Sequence, residues 1–369
     1  MKKLFYLIII SSLFFYCSPQ KAEWQGAIEE VDGVTVVKNP KVPMYGEDVF
    51  NLAEELSIGE AEGREEYMFS YPTSIAVDDE ENIYVLDTKE SHIKVFDKKG
   101  VYQKTIGRRG QGPGELQGPL GIQITAENEL WVNNLTSSRI VYFSQQGDFS
   151  REVHLTGLPR SRLILDSNGN FICSYPKWTQ PFKVVLEKYN SEQEMLFSVI
   201  EIEPNISKEY LPLAKGILFN VTREDDIIWA ITDKYEIMIT NSEGELTHKI
   251  VKPYDPIEIS EEEKQNFLKQ PSLSAGVEFP KYFPPLLTTT IAVDEEGRIF
   301  IGTHEKGKDG GSYFFDVFDT EGRYMTKVLL RHRQMAPIVW KNQKLYTIEE
   351  DNEGYQLVKR YKVTWETKD

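Results

Sequence analysis

One pattern recurs along the chain and limits what it can fold into. The segment Y-P-T-S-I-A-V-D-D-E-E-N-I-Y-V-L-D, starting at Tyr71, is echoed by L-T-T-T-I-A-V-D-E-E-G-R-I-F-I-G, starting at Leu287. Each reads as an apolar strand ending at Val77 or Val293, a polar turn opened by Asp78 or Asp294, and a second strand centred on Tyr84 or Phe300. Weaker copies occupy 124–132, 165–173, 221–230 and 338–347, which makes six. A third alternating strand follows each copy, as in I-K-V-F-D-K-K-G. A fourth follows most of them, as in Y-Q-K-T-I-G at 102–107.

Such a unit cannot bury both faces of its sheet alone, and stacking six around an axis solves the problem. The expected fold is all-β: a six-bladed β-propeller of four-stranded antiparallel blades. The last copy lacks a fourth strand. The segment E-E-L-S-I-G at 54–59 sits before Pro72 much as T-I-G at 105–107 sits before Pro119, so an N-terminal strand is expected to close the ring. The same comparison reads G-R-R-G-Q-G-P-G-E-L at 107–116 as a link between blades, its glycines serving as turn residues, with no helix behind them to cradle a phosphate. Residues 256–285 interrupt the period. There Ser260 and Glu263 have the spacing of a capping box, which predicts a short helical insertion between blades four and five.

The chain opens M-K-K, continues with thirteen mostly apolar residues and reaches Cys17. That run is too short to span a bilayer, which needs about 20 apolar residues, and its flanks fit an export signal. Residues 1–17 are expected to be a lipoprotein-type signal peptide, 18–35 a tether and 36–369 one propeller domain. Cys17 would carry the lipid and hold the protein in the cell envelope, at the periplasm or outer membrane. Only Cys173 then remains, so no internal disulfide can form, and its apolar setting marks it as a core residue.

The pattern I-G, G-x-G-P-G-E, a proline, I-A-V-D, N-I-Y-V-x-D and I-x-V-F-D-x-x-G resembles the NHL-type repeat. With its lipoprotein-like start, the chain resembles the bacterial six-bladed β-propeller lipoproteins over roughly residues 30–365. The resemblance implies the fold. A propeller by itself dictates no activity.

The five histidines are scattered, and neither 304–312 nor 349–354 has the ligand spacing of a calcium loop, so no metal and no cofactor are expected. No nucleophile elbow or catalytic set stands out, and the catalytic residues stay unknown. What stands out is arginine. In a propeller the links between blades and the turns between second and third strands emerge on one face. That face is expected to carry Arg64 and Tyr67, Arg108 and Arg109, Arg160 and Arg162, Trp178, and Arg331 and Arg333.

The whole chain has a net charge of −16, or −18 once residues 1–17 with Lys2 and Lys3 are removed. Nucleic acid is therefore a poor partner, and contact with a membrane is expected only through the lipid anchor. A planar guanidinium suits carboxylate, sulfate or phosphate. The expected partner is an anionic glycan or an envelope protein bound on the arginine-bearing face. The alternative is a propeller enzyme at that face: a lyase, a hydrolase or a metal-dependent lactonase acting on an anionic sugar.

Overall fold

The computed structural model describes residues 23–159, 161–204, 213–269, 279–287, 291–331 and 337–366. Six sheets form the six blades. In blade one the strands run outward in the order Pro72–Val77, Ile83–Asp87, His92–Phe96 and Tyr102–Ile106. Blades two, three and five repeat this order of four antiparallel strands. Apolar clusters fill the seams between blades. One joins Leu86 and Ile93 of blade one to Ile122 and Val132 of blade two, and another joins Trp131 and Ile140 to Phe171 and Cys173. Cys173 is fully buried, as its sequence setting predicts.

The aspartate of the repeat has a clear mechanical role. Asp78 accepts backbone N–H bonds from Glu80 (3.0 Å) and Asn82 (2.8 Å), which holds the turn between the first two strands. Asp166 and Asp294 do the same two and four residues on. Six residues beyond Asp78, the Tyr84 hydroxyl donates to its second oxygen at 3.1 Å. Phe300 has no hydroxyl to offer, and at Asp294 the guanidinium of Arg298 takes that place at 2.6 Å.

Blade six has three strands of its own: Val339–Lys341, Lys344–Glu350 and Gln356–Trp365. Its fourth is Phe50–Ile58, antiparallel to Gln356–Trp365, with Val358 opposite Ile58 at one end and Trp365 opposite Phe50 at the other. The expected closing strand is thus present and extends further toward the N-terminus than 54–59. Blade four is larger than its sequence copy suggests. A hairpin of Ala27–Val31 and Val34–Lys38 adds to its outer strand Leu246–Val251 in parallel, giving six strands. The segment expected as a tether over 18–35 therefore enters this sheet from residue 27 onward.

The link at 107–116 folds back on itself, with Leu116 N–H donating to Arg108 O (2.8 Å) and Gly110 N–H to Leu116 O (3.1 Å). Leu116 plugs the seam between blades one and two. Gly107 has φ +73°, and a Cβ there would lie 2.8 Å from the Leu116 side chain. The insertion contains the helix Glu261–Leu268, opened by a complete capping box between Ser260 and Glu263.

Closure yields a test. A chain starting at residue 60 lacks the outer strand of blade six, whereas one starting at residue 46 keeps that strand and lacks the blade-four hairpin with the bonds of Asn39, Met44 and Tyr45 to blade five. The first is expected to melt far below the parent or without a cooperative transition, and the second to lose less. Equal melting temperatures for all three chains would overturn the role of closure.

Candidate ligand site in the central channel

The innermost strands line an axial channel. Successive strands reverse direction, so the links between blades and the turns between second and third strands share one face, here the link face. Two chambers meet inside: one of about 260 Å³ and an open depression of about 790 Å³ that reaches the opposite face. Arg162, Ile164, Asn220, Pro337 and Ile338 border both.

Arg162 immediately precedes Leu163–Leu165, the innermost strand of blade three. Leu163 is buried in the seam with blade two, so strand alternation turns Arg162 and Ile164 the other way, toward the channel and blade four. The backbone beside Arg162 is pinned, because the buried Asn133 amide donates to Ser161 O at 2.8 Å. The Arg162 side chain is exposed to the water of the channel, and partial loss of hydration between the surrounding strands pulls its pKa below the usual arginine value. Among the described residues no carboxylate pairs with it. Beside it in the smaller chamber stand Ser174, Asn220 and apolar side chains including Ile217 and Ile291.

The other described arginines of the expected face have partners. Arg64 bonds Glu60 (Nε to Oε1, 3.1 Å) and lies 3.8 Å above the Tyr67 ring. Tyr67 packs on Phe96 and accepts the backbone N–H of Tyr102 at 2.9 Å, which makes it part of the blade-one core. Arg108 pairs with Glu115 at 2.8 Å, Arg109 donates to Lys89 O, and Arg331 pairs with Asp309 at 2.7 Å. Trp178 is 85% exposed at a hairpin tip, 4.9 Å from Phe182. Arg160, Arg333 and Cys17 lie outside the described residues. The structure thus separates Arg162 from its set, a distinction that sequence spacing does not carry. Asn133 and Asn220, the asparagines that a lactonase-like metal site could recruit, each donate to a backbone carbonyl, Asn220 to Ile291 O at 2.9 Å.

The insertion packs on blade five at the link face. Its two ends are tied by Ile259 N–H to Lys281 O (3.0 Å) and Phe283 N–H to Ile257 O (2.8 Å). Phe283 then stacks on His304 of blade five, with ring centroids 4.3 Å apart and planes 11° from parallel. Burial pushes the His304 pKa down to about 4, against weaker opposing effects from a hydrogen bond with the Leu286 backbone and from Glu263.

The molecule is thus a six-bladed β-propeller with a cationic group in its channel. The model of the DUF5128 family, described as a 6-bladed beta-propeller, matches residues 60–242. Among solved structures, a "putative exported protein" from Bacteroides fragilis NCTC 9343 is similar at 11% identity, covering 89% of this chain and 98% of its own, with a TM-score of 0.56. A member of the DUF4221 family from Bacteroides vulgatus is similar at 12% identity, covering 87% and 100%, with a TM-score of 0.51. Virginiamycin B lyase from Staphylococcus aureus is similar at 10% identity, covering 86% and 100%, with a TM-score of 0.44. No curated protein sequence matches the chain. No helix among the described residues is long and apolar enough to cross a membrane.

A pH test follows from His304. The unfolded imidazole takes its proton near pH 6.5 and the folded one only near 4. Between these values the unfolded state binds more protons, so this stabilisation is complete above about pH 6.5 and is lost as the pH falls toward 4. Melting temperatures measured from pH 7.5 to 4.5 should fall for the parent and fall less for His304→Phe, which keeps the stacked ring. Parallel curves would exclude His304 as the cause.

Proposed function

We propose that this protein is a cell-envelope binding propeller that captures an anionic group in its axial channel, with Arg162 as the anchor. The observation that carries the reading is a solvent-accessible guanidinium that lines both chambers of the channel without a carboxylate partner among the described residues. Such a guanidinium can receive a carboxylate, sulfate or phosphate through two parallel N–H···O bonds. The channel walls around the site strengthen that attraction relative to an arginine on an open outer surface. The Ser174 hydroxyl and apolar neighbours suit holding a ligand in place.

Supporting this reading, the remaining described arginines of the link face already have partners, in exposed contacts that contribute little to stability. Placement in the envelope rests on the signal-like first seventeen residues and Cys17. A lipid-anchored protein should leave the membrane fraction when Cys17 is changed to Ala, because the acyl chains supply most of the membrane affinity. Unchanged fractionation would remove the anchor from the proposal.

The binding site is tested by calorimetric titration with galacturonate and inorganic sulfate. The parent should bind at least one of them, more weakly as salt rises. Arg162→Gln should weaken that binding by about tenfold or more, the scale of a charge-assisted hydrogen bond. Its melting temperature should stay level, since the exposed side chain makes no ion pair among the described residues that the change would break. Equal affinity in parent and variant would overturn Arg162 as the anchor.

A further inference from the structure

Resting on that reading of Arg162, we infer that the ligand is a short anionic oligosaccharide that runs along blade three, with its acidic sugar on Arg162 and a later ring against Trp178. In this blade Leu163 pairs with Cys173 across the antiparallel strands, which places Arg162 opposite Ser174. Pairing of Phe171–Lys177 with Lys183–Tyr189 continues without a register shift to Lys177 and Lys183. Alternation therefore sets Ile172, Ser174 and Pro176 on one side of the sheet, and Trp178 opens the hairpin loop directly after the strand ends at Lys177.

Two neighbours identify that side. Ile172 packs against Ile227 and Trp229 of blade four, and Ser174 lines the chamber that holds Arg162. From Ser174 the strand advances three residues to its end at Lys177, or about 10 Å at ~3.3 Å per residue, and Trp178 follows at once. A trisaccharide covers such a span.

The far end of this track is built for contact. Trp178 is 85% exposed although an indole is normally well buried, and the described structure covers it only with Phe182 at 4.9 Å. The tip that carries it is held by Thr179 N–H to Lys177 O and Thr179 Oγ1 to Pro181 O, both 2.8 Å. A braced, exposed aromatic ring at the tip of this hairpin offers a flat apolar surface to the C–H face of a sugar. Its two χ angles leave little side-chain freedom to lose on binding. The neighbouring cations Lys177 and Lys183 are already paired with Glu187 and Glu201, so this end is suited to stacking and the Arg162 end to charge.

The experiment is a comparison of monosaccharide and trisaccharide probes. Galacturonate, trigalacturonate, a sulfated galactose trisaccharide and uncharged galactotriose are titrated into the full chain, Arg162→Gln, Trp178→Ala and Trp178→Phe. In the parent, a charged trimer should bind roughly tenfold tighter than the monomer, about the scale of one aromatic contact, and galactotriose should not bind. Trp178→Ala should erase the trimer's advantage, leave the monomer affinity and the melting temperature unchanged, and be partly rescued by Trp178→Phe. Arg162→Gln should weaken monomer and trimer together. The carboxylated and sulfated trimers then show which anion the site prefers.

Equal binding of monomer and trimer, or a trimer affinity insensitive to Trp178→Ala, would overturn this inference while leaving the anion site in place. A parent that binds no charged probe would overturn both, and galactotriose binding as well as a charged trimer would remove the role of charge.

Discussion

Everything in this molecule depends on one backbone pairing, that between Phe50–Ile58 and Gln356–Trp365. A propeller blade is a twisted sheet whose faces are apolar, so each needs a neighbour on both sides. An open row of six would leave two faces and an incomplete last blade exposed to water. Pairing a strand near the start of the chain with one near its end converts the row into a ring. The contact joins residues about 300 positions apart, as in Lys359 with Glu54 at 2.9 Å, and side chains reinforce it. Phe50 packs edge-on against Trp365 at 4.8 Å, and Arg298 of blade five lies 4.3 Å from the same indole ring.

The ring also determines how charge can be buried. Asp316 of blade five receives the hydroxyls of Tyr235 and Tyr324 and the ammonium of Lys252 at 3.0 Å, joining blades four and five. In blade three Lys188 meets Asp166 at 2.9 Å with both side chains almost wholly buried. The Lys94 ammonium in blade one uses the carbonyls of Glu65 and Met68, each at 2.7 Å. These groups show how this chain treats an ion removed from water: it supplies a counter-charge or a set of dipoles. Arg162 differs from these groups: it stays exposed to the water of the channel and has no counter-charge among the described residues. Its exceptional setting gives it more weight than the larger number of arginines nearby.

The repeat was legible because its turn chemistry is local. Asp78, Asp166 and Asp294 bond to backbone groups two and four residues away, so sequence spacing carries the turn directly. The capping box at Ser260 was legible for the same reason. The hairpin of 27–38 was not, since its parallel docking on Leu246–Val251 is a single event that leaves no repeated trace. The arginines divide in the same way. Arg108 and Glu115 lie seven residues apart and can be matched by eye, whereas Arg109 finds the carbonyl of Lys89 in a neighbouring turn and Arg331 finds Asp309 across a hairpin. Which of the described guanidinium groups lacks a described carboxylate partner is a property of the assembled seams, and no single segment records it.

Closure and the candidate site are therefore mechanically linked. Arg162 is oriented by Leu163, which belongs to the seam between blades two and three, and by Asn133, which reaches from blade two to the Ser161 carbonyl. Both contacts depend on blades two and three being pressed together. A closed ring transmits that pressure around every seam; an open one would let the innermost strands splay and the channel widen. Wider walls would admit more water around the guanidinium and weaken its attraction for an anion. They would also free its backbone, so that more order would have to be imposed when a ligand arrives. The strand that completes blade six thus preorganises a charge on the far side of the axis, although it touches none of the residues that would hold the ligand.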